Sequence, residues 1–448
     1  MGVRIAIPAK VRAVLLRLQE NGFAAYAVGG CVRDSLLGQS PADWDICTNA
    51  RPEETAQCFD RCVLTGAKYG TVTVLEDGEA YEITTFRAET GYADSRHPDA
   101  VQFLPQLEGD LSRRDFTVNA MAADANGRVT DLFGGMEDLQ NKCIRCVGNA
   151  AERFSEDALR ILRALRFASR LGFEIEPQTA ASIHSEKDGL TRVAAERLRK
   201  ELSGLLVGQR AAALLEEYAD VLCLLLPELQ PCVGFLQHNP HHKYDVFRHS
   251  LRVVEHTPQA EVLRLAALLH DMGKPSCFFT DEAGIGHFYG HEEESAKLCR
   301  QALHRLRYDN HTVDYVTKLV EHHDFFAPTP KSLRRLLAKL GEPLLRDLLT
   351  LRRADALGTG VAEESQVEAQ IGQQLAWLEE ILTAERCLSL KDLAIHGDDL
   401  LSMGIPQGRQ VGQLLQWLFD EVMEERIPNE REALVNFIQE LKNKSENC

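Results

Sequence analysis

Apolar spacing divides the chain into two textures. Up to about Val147, short β-branched runs alternate with helical stretches; from Glu152 onward the pattern is almost entirely helical. Val72-Thr73-Val74-Leu75 and Tyr81-Glu82-Ile83-Thr84-Thr85-Phe86 are β-branched or aromatic, and Glu76-Asp77-Gly78-Glu79 between them predicts a hairpin. The apolar run Tyr26-Ala27-Val28 is followed by Gly29-Gly30 and a helix-like stretch, Val32 to Leu37. In "FSEDALRILRALRFASRLGF", Ala158, Ile161, Leu162, Leu165 and Ala168 form one apolar stripe. Ser155 reads as its N-cap, ahead of Glu156 and Asp157, and Gly172 as its end. From Glu89 to Asp110 no periodicity holds, which predicts a mobile loop beside a site. Pro227 and Pro231 precede a histidine-rich helical segment, about Asn239 to Asp324. Glu379 to Leu393 then leads into a last block containing Gly397, Gly404, Gly408 and Gly412, and no repeat is visible.

Length and composition narrow this picture. A chain of 448 residues exceeds one compact core and predicts about three units. With 44% hydrophobic and 26% charged residues it has ordinary globular composition. No apolar run of about 18 residues predicts a membrane span, and Met1 to Pro8 is too short for a secretory signal. Twelve scattered cysteines predict reduced thiols in the cytoplasm. Cys143 and Cys146 form the one CxxC, without a second pair at zinc-finger spacing, and read as two buried strand thiols. A formal charge of −17 argues against indiscriminate nucleic-acid binding but not against a local basic cleft.

Candidate chemistry begins at "YAVGGCVRDSLLGQSPADWDICT". On a strand, Asp43 and Asp45 point to one face and Trp44 to the other. Two such carboxylates repel each other unless a cation lies between them, and oxygen ligands favour Mg2+ or Mn2+. Glu82 in "YEITTFR" is the candidate third carboxylate, from a neighbouring strand. The Gly29-Gly30 turn lets backbone N–H groups approach triphosphate oxygens, and Arg33 supplies a guanidinium to them.

"GGCVRD", "DWD", "RRDFTVNAMA", "DLFGG", "EDALR" and "ERLRKEL", in that order through roughly the first 210 residues, resemble the class II tRNA nucleotidyltransferases. That family comprises CCA-adding enzymes and bacterial poly(A) polymerases. The tail "IHGDDLLSMGIPQGRQVGQLLQWL" resembles the family more weakly. The resemblance implies an α+β fold: a polymerase-beta-like head with a mixed sheet (residues 1–150), then a helical neck (151–212), body (213–385) and tail (386–448). It assigns Gly30 and Arg33 to nucleotide phosphates and Asp43 and Asp45 to Mg2+. Arg114 contacts the nucleotide with Asp115 in support, and Asp157, Arg160, Arg163 and Arg166 bind nucleotide. The implied reaction is template-independent addition of C, C and A to the 3′ end of tRNA from CTP and ATP. Two Mg2+ ions would assist the 3′-hydroxyl and the departing pyrophosphate.

An aspartate accepts hydrogen bonds and an arginine donates them. Asp157 and Arg160, three apart on one helix face, would match the amino donor and ring-nitrogen acceptor that cytosine and adenine share. Uracil or guanine would leave mismatched polar groups costing roughly 1–3 kcal/mol each. "TGAKYGTVTV" resembles the block of CCA-adding members, with Tyr69 where histidine is common. "ETGYADSRHPDAV" is full-length, with His97 replacing an arginine. An A-adding enzyme or poly(A) polymerase of the same family is the alternative.

A second constellation follows. "HHKYDVFRHSLRVVEH", "LAALLHDMGKP" and "RADALG" place His249, His270, Asp271 and Asp355 in the order of HD-domain phosphohydrolases, which they resemble. Imidazoles and carboxylates converging from separate helices suit a transition metal such as Mn, Ni, Co or Fe, and His291 with His322 or His323 would support a second ion. The implied substrates are 2′,3′-cyclic phosphates or 3′-phosphates on tRNA ends. From other classes, a phosphohydrolase with a nucleotide-sensing head and a non-catalytic RNA-binding protein are the rivals. Arg197, Arg199, Lys200, Lys331, Arg334 and Arg335 are available to tRNA phosphates, and no obligate protein partner is implied.

Overall fold

The computed structural model describes residues 2–64, 66–90, 100–383, 390–424 and 426–446. The centre of the loop sequence, residues 91–99 with His97, lies outside them. The chain forms two compact units, Met1–Gln230 with Ala302–Tyr308, and the remainder.

The first unit is built on a seven-stranded mixed sheet. Its strands are β1 (Ala25–Val28), β2 (Ile46–Thr48), β3 (Cys62–Val63), β4 (Thr71–Glu76), β5 (Glu79–Thr85), β8 (Met121–Ala123) and β9 (Val129–Asp131). A ribbon of β6 (Arg87–Thr90) and β7 (Ala100–Phe103) stands apart. Across the sheet the order is β3-β4-β5-β2-β1-β8-β9. β4 and β5 form the expected hairpin, whose turn holds Asp77 and Gly78 at positive φ. β2 and β5 run parallel with Ile46 opposite Ile83. Val11, Val14, Leu15 and Leu18 of α1 (Ala9–Glu20) cover one face over Ala25, Ile46, Val72, Val74 and Ile83, and Trp44 packs against that cluster. The segment from Glu89 to Asp110 is more regular than its composition predicts, because β7 and the helix Leu107–Ser112 fall inside it.

The helix over "FSEDALRILRALR" breaks where a single helix is expected. One helix runs Ala150–Glu156, capped by Asn149, whose side chain accepts from the N–H groups of Ala151 and Glu152. Ser155 is therefore not a cap; its hydroxyl donates to the Glu152 carbonyl within that helix. Asp157 leaves helical geometry (φ −141°, ψ 100°), and its carboxylate accepts from the Leu159 N–H at the start of Leu159–Leu171. The second helix ends on Gly172 at φ 72°. It packs on Ala195–Leu206, where a Cβ at Gly204 would stand 2.5 Å from Cδ of Arg166. Cys143 and Cys146 are free thiols; Cys146 is buried and Cys143 half-buried.

The second unit is helical apart from one two-stranded hairpin, Phe279–Thr280 with Gly286–His287. Helix Val246–His256 packs closely on Glu342–Gly358, since a side chain at Gly358 would meet Val253 at 2.7 Å. The tail helices Gly397–Ser402, Arg409–Met423 and Arg431–Glu446 enclose their own core, Leu400, Leu418, Leu434 and Ile438. No helix among the described residues is long and apolar enough to cross a membrane.

Candidate functional site

Asp43 and Asp45 precede β2 rather than lying within it, and both are exposed. The Val28 N–H donates to the Asp45 carbonyl at 2.9 Å, which extends the β1–β2 ladder by one bond and fixes the backbone there. The parallel register places Glu82 beside Asp45, each one residue before the paired Ile83 and Ile46. Although the residue as a whole is exposed, partial desolvation of the Asp45 carboxyl at the cleft raises it above its ordinary value, and the charges of Asp43 and Glu82 raise it further against the pull of Arg114. Three carboxylates thus share one electrostatic neighbourhood, a donor set that fits a hard divalent cation.

Gly29, at φ 84° and ψ −131°, turns the chain from β1 into α2 (Gly30–Leu36). A Cβ there would lie 3.0 Å from a terminal nitrogen of Arg114. Arg114 is held by Asp110, a fully buried carboxylate that also pairs with Arg113 at 2.7 Å. The Nε of Arg114 has no hydrogen-bond partner among the described residues. Arg33 donates to Asn119 at 2.6 Å, Asn119 donates to Asp115 at 3.2 Å, and Asp115 receives Arg163 at 2.5 Å. Although burial opposes ionisation of Asp115, the Arg163 guanidinium lowers its carboxyl to about 2. Arg33, Arg163 and Arg166 fan around the Phe167 ring at 5.1, 5.4 and 4.3 Å. These groups, the glycine turn and the two aspartates line one cleft of about 540 Å³. Phe167 and Asn119 escaped the sequence reading, although Asn119 stands four residues after Asp115 in "RRDFTVNA".

Asp157 and Arg160 are arranged differently from the expected pair on one helix face. The break removes Asp157 from the helix, and its carboxylate takes Arg197 at 2.8 Å. Arg160 pairs with Glu156 at 2.7 Å and donates to the carbonyls of Arg153 and Arg113. Neither residue lines the cleft in this state. The reach of the other basic residues is also curtailed: Arg199 donates to the Arg307 carbonyl, Lys331 and Arg335 pair with Glu424, and Arg334 is buried.

In the second unit, His249 and His270 approach each other at 3.3 Å between their Nε2 atoms. Asp355 lies 3.0 Å from His249, and Asp271 lies 3.2 Å from His270. On its other oxygen Asp271 faces His291 at 3.4 Å and His323 at 3.7 Å. His323, not His322, therefore joins the cluster. The Nδ1 atoms of His270, His291 and His323 each meet a backbone carbonyl three residues back, at 2.7–2.9 Å. Those bonds leave every Nε2 turned inward, as in carboxylate- or carbonyl-oriented metal ligands. Asp271 is 1% exposed, and neither of its oxygens has a well-directed hydrogen bond, although Lys274 Nζ is 2.7 Å away. Burial opposes ionisation of Asp271, but His270 and Lys274 hold its carboxyl well below the usual range. The donor set fits a transition metal. Lys274 and Gln237, 3.0 Å apart, went unread because nothing in their spacing signals chemistry.

The sheet, its carboxylate edge and the arginine-lined cleft define a nucleotidyltransferase head. A profile of the poly A polymerase head domain matches residues 25–145, and one described as "Probable RNA and SrmB- binding site of polymerase A" matches residues 172–232. A profile of tRNA nucleotidyltransferase domain 2 matches residues 290–438. The chain is 36% identical over 435 residues to the CCA-adding enzyme of Lactiplantibacillus plantarum, covering 96% of both, and 36% identical to that of Levilactobacillus brevis over 95% of this chain and 96% of that one. Its fold follows the Bacillus stearothermophilus CCA-adding enzyme in complex with CTP, with a TM-score of 0.72, 29% identity and 98% of each chain covered. The chain belongs to the CCA-adding enzyme family of tRNA nucleotidyltransferases.

Proposed function

We propose that the head cleft adds C, C and A to the 3′ end of tRNA from CTP and ATP, with Mg2+ as the working cation. The observation that carries this reading is the meeting, in one cleft, of the Gly29-Gly30 turn, Asp43 and Asp45, and the guanidinium groups of Arg33, Arg114, Arg163 and Arg166. In the reaction the tRNA 3′ oxygen bonds to the α-phosphorus, the α–β P–O bond breaks, and pyrophosphate leaves. Asp43 and Asp45, with Glu82 on the neighbouring strand, would hold the cation. Magnesium, when bound, neutralises charge on the triphosphate and the attacking oxygen. The bare backbone at Gly29-Gly30 admits the phosphates, and Arg33 and Arg114 balance their charge. Asp115 and Asn119 position Arg163 and Arg33. Base choice by Asp157 and Arg160 requires each to exchange its present partner, Arg197 or Glu156, for a base edge. Such a tRNA-processing role belongs in the cytoplasm.

Incubating tRNA lacking its 3′ end with single labelled nucleotides tests the reading. Incorporation of C and then A supports it; A alone points to an A-adding enzyme, and no incorporation refutes it.

The second reading is carried by the imidazole cluster. His249, His270, Asp271 and Asp355 would hold a transition metal, with His291 and His323 supporting another, for water to cleave phosphoesters. Hydrolysis that is chelator-sensitive, survives Asp43→Ala and is lost in Asp271→Ala supports it. Hydrolysis unchanged by Asp271→Ala ends it.

A further inference from the structure

The imidazole cluster lies at the floor of a cavity of about 610 Å³, and one wall of that cavity is aromatic. Phe279 and His287 are cross-strand partners in the two-stranded hairpin, so their rings share one face and stack at 5.3 Å and 26°. Tyr289 continues the same side of the chain; its ring lies 5.6 Å from His287 at 20° and 5.6 Å from Phe279. The intervening Phe288 faces inward, under the Lys274 ammonium and beside Phe278. Tyr289 is 77% exposed and Phe279 45% exposed. Single exposed aromatics are ordinary, but here three rings form a triangular cluster with centroids 5.3–5.6 Å apart, and Tyr289 is the most exposed of them.

Position gives the stack its meaning. His287 and Tyr289 line the same cavity as Asp271, His291 and His323. Only Gly290 separates Tyr289 from His291, which puts them at most about 7 Å apart along the chain. The His287 ring is braced by Asp281 at 2.9 Å, and Asp281 also accepts the N–H groups of Ala283 and Ile285, so the hairpin tip holds the platform still. Across the cavity Arg352 supplies a cation, tied at 2.7 Å to Asp324 and 3.5 Å from Asp355. A flat aromatic face, a cation and inward-facing metal-ligand atoms on one cavity complement the base and the phosphate of a nucleoside phosphoester.

We propose that Tyr289, flanked by His287 and Phe279, is a base-stacking platform through which the second-unit site selects phosphoesters that carry a base over those that offer a phosphate alone. This rests on the phosphoester reading of the imidazole cluster given above. A stacked base contributes affinity through its π-face whatever its identity, so the platform selects nucleotides over sugar phosphates without selecting sequence.

The test measures binding of uridine 3′-monophosphate to the full chain by equilibrium dialysis, alongside ribose 5-phosphate. Uracil and a single phosphate keep the probe away from the triphosphate cleft of the head. Tyr289→Ala is expected to weaken the uridine nucleotide between about fivefold and 150-fold, leave ribose 5-phosphate unchanged, and recover in Tyr289→Phe. A short RNA ending in a 3′-phosphate run in parallel separates two sources of the ligand. Weakening of the RNA to the same degree assigns the platform to chain ends, and weakening of the mononucleotide alone assigns it to free nucleotides. If Tyr289→Ala binds both probes as the parent does while Asp271→Ala abolishes binding, the platform is refuted and the site reading stands. If Asp271→Ala also binds as the parent does, the site reading itself fails and the platform with it.

Discussion

Replacing Asp115 by asparagine tests how the head organises its guanidinium groups. Asp115 is 8% exposed and holds Arg163 through two bonds, at 2.8 and 2.5 Å, while Asn119 bridges it to Arg33. Its carboxyl falls from an ordinary 3.8 to about 2 despite burial, because Arg163 lies against it. That difference corresponds to about 2 kcal/mol of stability from the ionised form. Asparagine keeps the shape but leaves Arg163, whose side chain is 34% exposed to the cleft, without its counter-charge; solvent screening there brings the loss below the roughly 3–5 kcal/mol of breaking a fully buried pair. A loss of about 2–4 kcal/mol is therefore expected in the first unit. Trp44 packs against the head core, so its fluorescence, after replacing Trp377 and Trp417 with phenylalanine, follows urea unfolding of that unit. KM for CTP should rise together with the stability loss, since Arg163 and Arg33 both face the cleft. An unchanged urea midpoint with an unchanged KM would refute the idea that Asp115 organises the cleft.

Other expectations are simpler to check. Because the Asp115 carboxyl is depressed, its contribution is full above pH 3.8 and lost as pH falls toward 2; acid titration of the same fluorescence should show this loss in the parent and not in Asp115→Asn. Gly29→Ala forces a side chain into φ 84° and against Arg114, costing about 1–3 kcal/mol, visible as a lowered urea midpoint. Glu82→Gln should raise the Mg2+ concentration for half-maximal incorporation while circular dichroism stays unchanged, whereas Asp43→Ala should abolish incorporation. Identical Mg2+ dependence in Glu82→Gln would remove Glu82 from the acidic set.

Features set by short-range period were legible in the sequence. The β4–β5 hairpin followed from alternation and its Asp77-Gly78 turn, and the closeness of Asp43 to Asp45 from a two-residue spacing. Glu82 was reachable because a strand of a sheet needs a neighbour to pair with, and the parallel β2–β5 register puts it there. Long-range choices were not legible. The apolar stripe from Ala158 to Ala168 extends back at helical spacing to Phe154, across the break at Asp157, so periodicity registers one helix where backbone geometry makes two. The partner that draws Asp157 away, Arg197, stands forty residues along the chain on a separate helix. His322 and His323 are indistinguishable by type; helix Asn310–Glu321 ends just before them, and only the fold turns His323 inward onto the Val320 carbonyl.

The two proposed ligand sets would keep two cations apart. Asp43, Asp45 and Glu82 are exposed oxygen donors, and such a site exchanges readily with a hydrated hard ion that keeps several of its waters. His249, His270, Asp271 and His323 are at most 3% exposed, and backbone carbonyls orient the His270 and His323 rings in advance. Moving a hydrated magnesium ion there would strip its water for nitrogen donors that it binds poorly, while softer ions gain from them. Selectivity therefore follows from donor type and burial, and neither set needs to exclude the other's ion by shape. On the proposed reading, the head cation would arrive and leave with each nucleotide, whereas an ion held by His249, His270, Asp271 and His323 would exchange slowly.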